Sequence, residues 1–278
     1  MASTASRPKS QQQRLINAMV EENVDSVFAL LTQPGEVLGE ALCRVQPTEK
    51  GVEICGLLIA AGADVNFSDP VKKTNALLVE IASAGPKDFK YGLQIGRLLI
   101  AARADLNKPD YERGYSPLAT AFDECNLVFA QMLLECGAAV GDAIFSASSD
   151  EAIQLLLRHG ADVNQPSKKS GNTPLIERLC VDEPFEEELV YMAWIGVMPY
   201  DQELIEALVK NGANPQAVRA SDGANGIHCM ATGAKIPGFG AKIAETLIEN
   251  GLPVDHRNTA GYTVRTYMLK CMLTFWYV

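Results

Sequence analysis

The chain has 278 residues, 47% of them apolar and 21% charged, with a formal net charge of −10. That composition supplies ample core for one large domain or two ordinary ones, and the acidic balance speaks against a general nucleic-acid binder. No apolar run reaches the ~18 residues of a membrane span, and MASTASRPKSQQQ lacks the apolar stretch of a secretory signal, so an intracellular protein is expected, cytoplasmic with the nucleus as the alternative.

Residues 1–12 are polar and predict a disordered lead-in. LINAMVEENVDSVFALL (15–31) then predicts two short amphipathic helices in series, and the couplet recurs along the chain. Its second helix returns as ICGLLIAAGADVN (54–66), IGRLLIAARADLN (95–107), FAQMLLECGAAV (129–140), AIQLLLRHGADVN (152–164), LIEALVKNGANP (204–215) and IAETLIENGLPV (243–254). Its first helix returns as NALLVEIA (75–82), SPLATAF (116–122), TPLIERLC (173–180) and NGIHCMA (225–231). Glycines such as Gly160 fall where a left-handed residue ends the second helix. Ser116-Pro117 and Thr173-Pro174 place a capping hydroxyl before a proline at the first helical position.

The residue after each helix end (Ala63, Ala104, Ala138, Ala161, Ala213, Leu252) recurs at intervals of 41, 34, 23, 52 and 39. These scatter around the ~33-residue ankyrin unit. Over residues ~13–278 the chain resembles the ankyrin-repeat family. It departs from that family's pattern in having no intact Thr-Pro-Leu-His and in carrying Arg103 where the helix-ending glycine belongs. The resemblance implies an all-α solenoid of about seven or eight helix–loop–helix units with short projecting loops. No single unit can enclose its own apolar face, so stacking has to supply the core.

Two intervals are irregular. The interval of 23 leaves no room for a full loop before a helix expected at 143–148. The interval of 52 carries an insertion, about 182–199, inside a stretch (Val181 to Val209) holding eight acids and no Lys or Arg. Pro184 and Pro199 bracket an extra helix there. Either its apolar side packs on neighbouring helices, or Phe185, Glu187 and Trp194 belong to a docking helix for a partner with a basic rim. The last stretch, 256–278, predicts a degenerate terminal cap whose apolar end either folds back or stays exposed.

The loops carry cations: Lys72 and Lys73, Lys108 and Arg113, Lys168 and Lys169, Arg219, Arg257. The family arrangement implies that these loops project side by side, so the cations form a broken ridge. Either they serve solubility, or with Tyr111 and Tyr115 they meet a protein partner bearing an acidic patch. Nucleic acid and membrane are not expected partners, and no cofactor or metal is expected. The seven cysteines form no C-x-x-C pair and predict buried thiols in a reducing compartment rather than a disulfide framework or zinc site.

Catalytic signatures are absent from the sequence: it contains no G-x-S-x-G, H-E-x-x-H or phosphate loop. The resemblance implies a structural hydrogen bond for His228. Glu80 and Arg178 occupy first-helix positions where the family prefers small residues, and a charge there is costly unless paired. They are either satisfied locally or, with Asp123 and Glu177, line a polar pocket in the concave groove. The leading expectation is therefore a non-enzymatic scaffold or adaptor binding a protein through loop tips and concave face. The alternative is an enzyme or small-molecule binder using that pocket. The resemblance also implies that Asn66, Asn107 and Asn164 match loop asparagines that some ankyrin proteins offer to a hydroxylase.

Overall fold

A computed structural model describes residues 11–31, 35–69, 74–83, 89–111, 113–180, 201–233 and 241–266. The inserted segment at 182–199, the loop lysines Lys72 and Lys73, and the terminal stretch 267–278 lie outside the described residues. Contacts divide the chain into two compact units, Met1–Ala139 and Val140–Val278.

In the first unit the helices come in pairs. α1 (Gln11–Val20) is followed by α2 (Val24–Ala29), and α3 (Gly35–Leu42) by α4 (Glu49–Ala60). A two-residue hairpin, β1 (Ser68–Asp69) against β2 (Thr74–Asn75), is antiparallel with Ser68 opposite Asn75. It leads into α5 (Ala76–Ser83) and α6 (Phe89–Ala101), and the unit ends with α7 (Pro117–Asp123) and α8 (Leu127–Glu135). α4 and α5 pack on α6, and α5 packs on α7. Leu58, Leu77, Ile81, Ile95, Leu99, Leu118, Phe122, Phe129 and Leu133 fill the space between them, each at most 1% exposed. The approach of α6 to α8 depends on Gly96: a Cβ there would stand 2.4 Å from Phe129 Cζ.

The second unit opens with the shortened repeat. Where a helix over 143–148 is expected, the chain makes only a 3-10 turn, Ala143–Ser146, before α9 (Asp150–Arg158). Too few residues remain between Gly141 and the Ser149 cap of α9 for a full helical pair. α10 (Pro174–Leu179), α11 (Gln202–Lys210), α12 (Gly226–Gly233) and α13 (Ala241–Glu249) follow. α10 packs on α11 and α12, and α11 on α9 and α13. Ile153, Leu156, Ile176, Leu179, Ile205 and Leu247 are fully buried. The caps fall where the sequence puts them: Ser116 Oγ accepts from Ala119 N at 3.2 Å, and Thr173 Oγ1 from Ile176 N at 3.4 Å.

Within each unit, side-chain amides tie neighbouring joints together. Asn66 donates to Arg103 O at 3.3 Å and accepts from Asp105 N at 2.7 Å. Asn107 Oδ1 accepts from Ala139 N at 2.8 Å. In the second unit Asn164 donates to Gly212 O at 3.0 Å and accepts from Asn214 N at 2.7 Å. Among the described residues no helix is long and apolar enough to cross a membrane.

Two outcomes test this packing. Leu156→Ala should lower unfolding free energy by about 2–5 kcal/mol, read from circular-dichroism denaturation curves. Arg103 ends α6 at φ +68°, a conformation costing a side-chain-bearing residue about 1–2 kcal/mol. Arg103→Gly should therefore raise the midpoint, whereas Gly160→Ala, at φ +87°, should lower it.

Candidate functional site

The loops of the second unit fold as a set of like hairpins. Ser167 N donates to Asn172 O at 2.8 Å, Arg219 N to Ala224 O at 2.7 Å, and Asn258 N to Tyr262 O at 3.0 Å. The tips are bonded to one another as well. Ala220 N donates to Asn172 Oδ1 at 2.8 Å, joining the first tip to the second. Thr259 donates from both its N and its Oγ1 to Asp222 O, each at 2.9 Å, and His256 Nε2 donates to Gly223 O at 2.8 Å. Three neighbouring tips thus form one hydrogen-bonded row carrying Lys168, Lys169, Arg219 and Arg257.

These cations are not equivalent. Lys168 and Lys169 are exposed and make no ion pair among the described residues. Arg257 is exposed and donates to Gly261 O at 2.9 Å. Arg219 is only 22% exposed and grips Asp222 with two parallel bonds, Nε to Oδ1 at 2.8 Å and Nη2 to Oδ2. That bidentate bond, ahead of the opposing effect of burial, holds the Asp222 carboxyl below its usual range. Exposed Val218 and Val254, at 41% and 57%, lie in the Arg219 and Arg257 loops. The sequence drew no attention to them, because isolated valines in loops have no pattern.

In the first unit, Lys108 is half-buried and donates to Asn66 O at 2.5 Å, a bond between loops. Arg113 pairs with Asp123 at 2.8 Å, which joins a ridge residue to one of the residues assigned to a polar pocket. Tyr111 is 65% exposed and Tyr115 36%. Lys72, Lys73, Phe185, Glu187 and Trp194 lie outside the described residues.

The remaining pocket candidates have distinct surroundings. Arg178, on α10, donates to Phe145 O at 2.8 Å and Ala147 O at 3.1 Å. Those carbonyls lie in the 3-10 turn of the shortened repeat and on the residue that ends it, where no continuing helix could bond them. The charge that looked out of place in the sequence therefore caps a truncated element. Glu177 bonds Ser170 in the loop preceding its own helix. Glu80, on α5, is 1% exposed with Oε2 unbonded, and burial pushes its carboxyl up to about 8. His228 is fully buried, its ring nitrogens 2.6 Å from Asn225 Oδ1 and 3.0 Å from Tyr262 O. One neighbour is a side chain three residues earlier and the other a backbone carbonyl 34 residues on.

One cluster was not visible in the sequence. Cys180, at the end of α10, lies with its Sγ 2.7 Å from Sγ of Cys229 on α12. The cysteines among the described residues divide: Cys43, Cys55 and Cys229 are buried as expected, Cys180 is half-buried, and Cys125 and Cys136 are exposed. Arg219 and Glu177 both act electrostatically on the Cys180 thiol. No local spacing announces a pair 49 residues apart. Among the described residues no three His, Cys, Asp or Glu side chains are placed to hold a metal ion.

No family model matches the chain, and no curated protein does. Solved structures do. The crystal structure of the human ASB11 ankyrin repeat domain is 17% identical, with a TM-score of 0.55 over 85% of this chain and 96% of that one. The ankyrin repeat domain of Bcl-3, described as a unique member of the IkappaB protein family, is 19% identical, with a TM-score of 0.56 over 96% of this chain and all of that one. At such identities the likeness fixes the fold, which is the ankyrin-repeat fold.

The buried Glu80 makes a pH prediction. Its folded value, about 8 against an ordinary 4.5, favours the protonated folded state. This contribution to stability is fully present below about pH 4.5 and is lost as pH rises to about 8, at on the order of 1 kcal/mol per unit. Glu80→Gln should melt higher than the parent at pH 8, and the gap should close as pH falls to 5.

Proposed function

We propose that this chain, which has the ankyrin-repeat fold, is a non-catalytic protein-interaction module. Its partner meets the loop tips and the adjoining concave face with an acidic patch. Ankyrin repeat domains are in general protein-binding modules, and fold alone does not choose a partner.

The observation that carries the reading is the bonded row of tips in the second unit. Lys168 and Lys169 are adjacent and exposed there, with no ion pair among the described residues, on a hairpin braced through Asn172 to its neighbour. A braced tip loses less conformational freedom on binding than a loose one, so more of its interaction energy reaches the complex. Val218 and Val254 add apolar contact in the adjoining loops. Tyr111 and Tyr115 offer aromatic contact in the first unit, with Lys108 and Arg113 contributing less because their charges are already bonded. The cationic tips stand out on a chain whose total charge is −10, so attraction to an acidic patch is local and salt-sensitive.

We extend the reading to the acidic insertion as a second contact region, with Phe185, Glu187 and Trp194 as its contact residues. Localisation in the cytoplasm belongs to the same proposal.

The test is affinity capture at low and high salt with the parent and with Lys168→Glu/Lys169→Glu, quantifying the proteins retained. Partners using this tip should be retained at least tenfold less by the variant at low salt, with the difference shrinking at high salt. Equal retention of every captured protein by both chains at either salt would refute the role given to the tip.

A further inference from the structure

We propose that Cys180 and Cys229 form a reversible redox modification site, a dithiol that a peroxide oxidises to a disulfide across the contact between α10 and α12. The inference is independent of partner binding.

Four observations carry it. First, the sulfurs are 2.7 Å apart, close to the length of about 2.05 Å of a disulfide bond. Second, α10, which Cys180 directly follows as its C-cap, packs on α12, the helix that carries Cys229, so the fold brings the two residues together. Third, the thiols differ in the way an oxidation site requires. Cys180 is half-buried, with part of its surface in reach of a small oxidant, whereas Cys229 is fully buried. Fourth, the charge around Cys180 favours its thiolate. The hydrogen bond with the Cys229 thiol holds Cys180 below the ordinary thiol range, and the Arg219 guanidinium adds to this against burial and Glu177. Cys229 is displaced upward, by its bond to Cys180 and by burial. The guanidinium is itself fixed by its two bonds to Asp222, so the cation is built into the site.

A two-thiol metal site fits less well, because no third His, Cys, Asp or Glu completes a metal-binding group among the described residues. The favoured chemistry is thiolate oxidation. The Cys180 thiolate attacks one oxygen of hydrogen peroxide, the O–O bond breaks, and the departing hydroxide takes a proton to leave as water. The S–OH of Cys180 is then attacked by Cys229: the S–S bond forms, the S–O bond breaks, and the Cys229 proton leaves with hydroxide as a second water. Both sulfurs are oxidised, two electrons reduce one peroxide, and a dithiol reductant reverses the reaction.

The consequence is a cross-link between adjacent repeats at the residue where α10 gives way to the acidic insertion. It closes a loop from 180 to 229, restricting the unfolded chain and locking α10 to α12.

The experiment uses the full chain. Reduced protein freed of reductant is exposed to graded hydrogen peroxide, quenched with N-ethylmaleimide and digested with trypsin without reduction. Cys180 and Cys229 fall on separate tryptic peptides, 179–210 and 220–235, each holding one cysteine. The expected result is the joined pair, two hydrogens lighter than the separate peptides, rising with peroxide and abolished by dithiothreitol. The melting midpoint of the oxidised form should rise by several degrees. Cys229→Ser should instead accumulate a dimedone-trapped Cys180 sulfenic acid. The wild-type cross-link map decides the matter even if this variant folds poorly. Unchanged maleimide labelling of both cysteines after peroxide overturns the proposal, as does a cross-link from Cys180 to any other cysteine.

Discussion

No helix pair in this chain can bury its own apolar faces, and every other feature depends on that constraint. The apolar positions of α9 face both α11 and the 3-10 turn, and those of α11 face α13, so each pair is completed by its neighbour. Such stacking has to keep pitch, and side-chain amides set it: Asn66, Asn107 and Asn164 each reach a backbone group of the next joint. Their bonds connect elements 32 to 50 residues apart. The loop tips can then bond one another because the helices beneath have already fixed their spacing. A row of tips made this way inherits its rigidity from the core rather than from the loops.

The same constraint explains what was legible in the sequence. Helix ends, caps and buried faces are local properties, governed by a glycine, a hydroxyl before a proline, or apolar residues on one face. These could be read from TPLIERLC or LLLRHGADVN without knowing what lies alongside. The helix expected at 143–148 was overstated for a physical reason. Alanine, isoleucine and phenylalanine there satisfy the apolar pattern, but the shortened repeat leaves space only for a 3-10 turn. Pattern registers which face is apolar, and chain length decides whether a helix can close on it.

Partnerships across repeats could not be read. Arg178 looked like an expensive charge in a crowded position, and it donates to two carbonyls more than thirty residues earlier. Lys108 looked like a ridge cation, and its ammonium bonds the backbone of the preceding loop. Arg219 looked equivalent to Lys168, yet it lies folded against Asp222 beside a thiol. In each case the residue type was right for its chemistry, and the assignment depended on which backbone the stacking brought within reach. Cysteine is the extreme case: Cys180 and Cys229 belong to different turns of the repeat pattern, so no spacing rule relates them.

Charge that is already bonded contributes little to attracting a partner. A guanidinium held bidentate by Asp222 forms a nearly neutral unit at distances beyond a Debye length of about 8 Å. Its local field remains strong, which suits it to act on a thiol a few ångströms away. An exposed lysine pair does the reverse: it is a poor organiser of neighbours and an effective source of long-range field. The second unit therefore separates two uses of positive charge that the sequence had placed in one ridge. Lys168 and Lys169 face outward, where field matters, and Arg219 faces inward, where geometry matters. Replacing Arg219 with lysine would undo the inward role, because only the planar fork of arginine can hold Asp222 with two bonds and stay fixed beside Cys180.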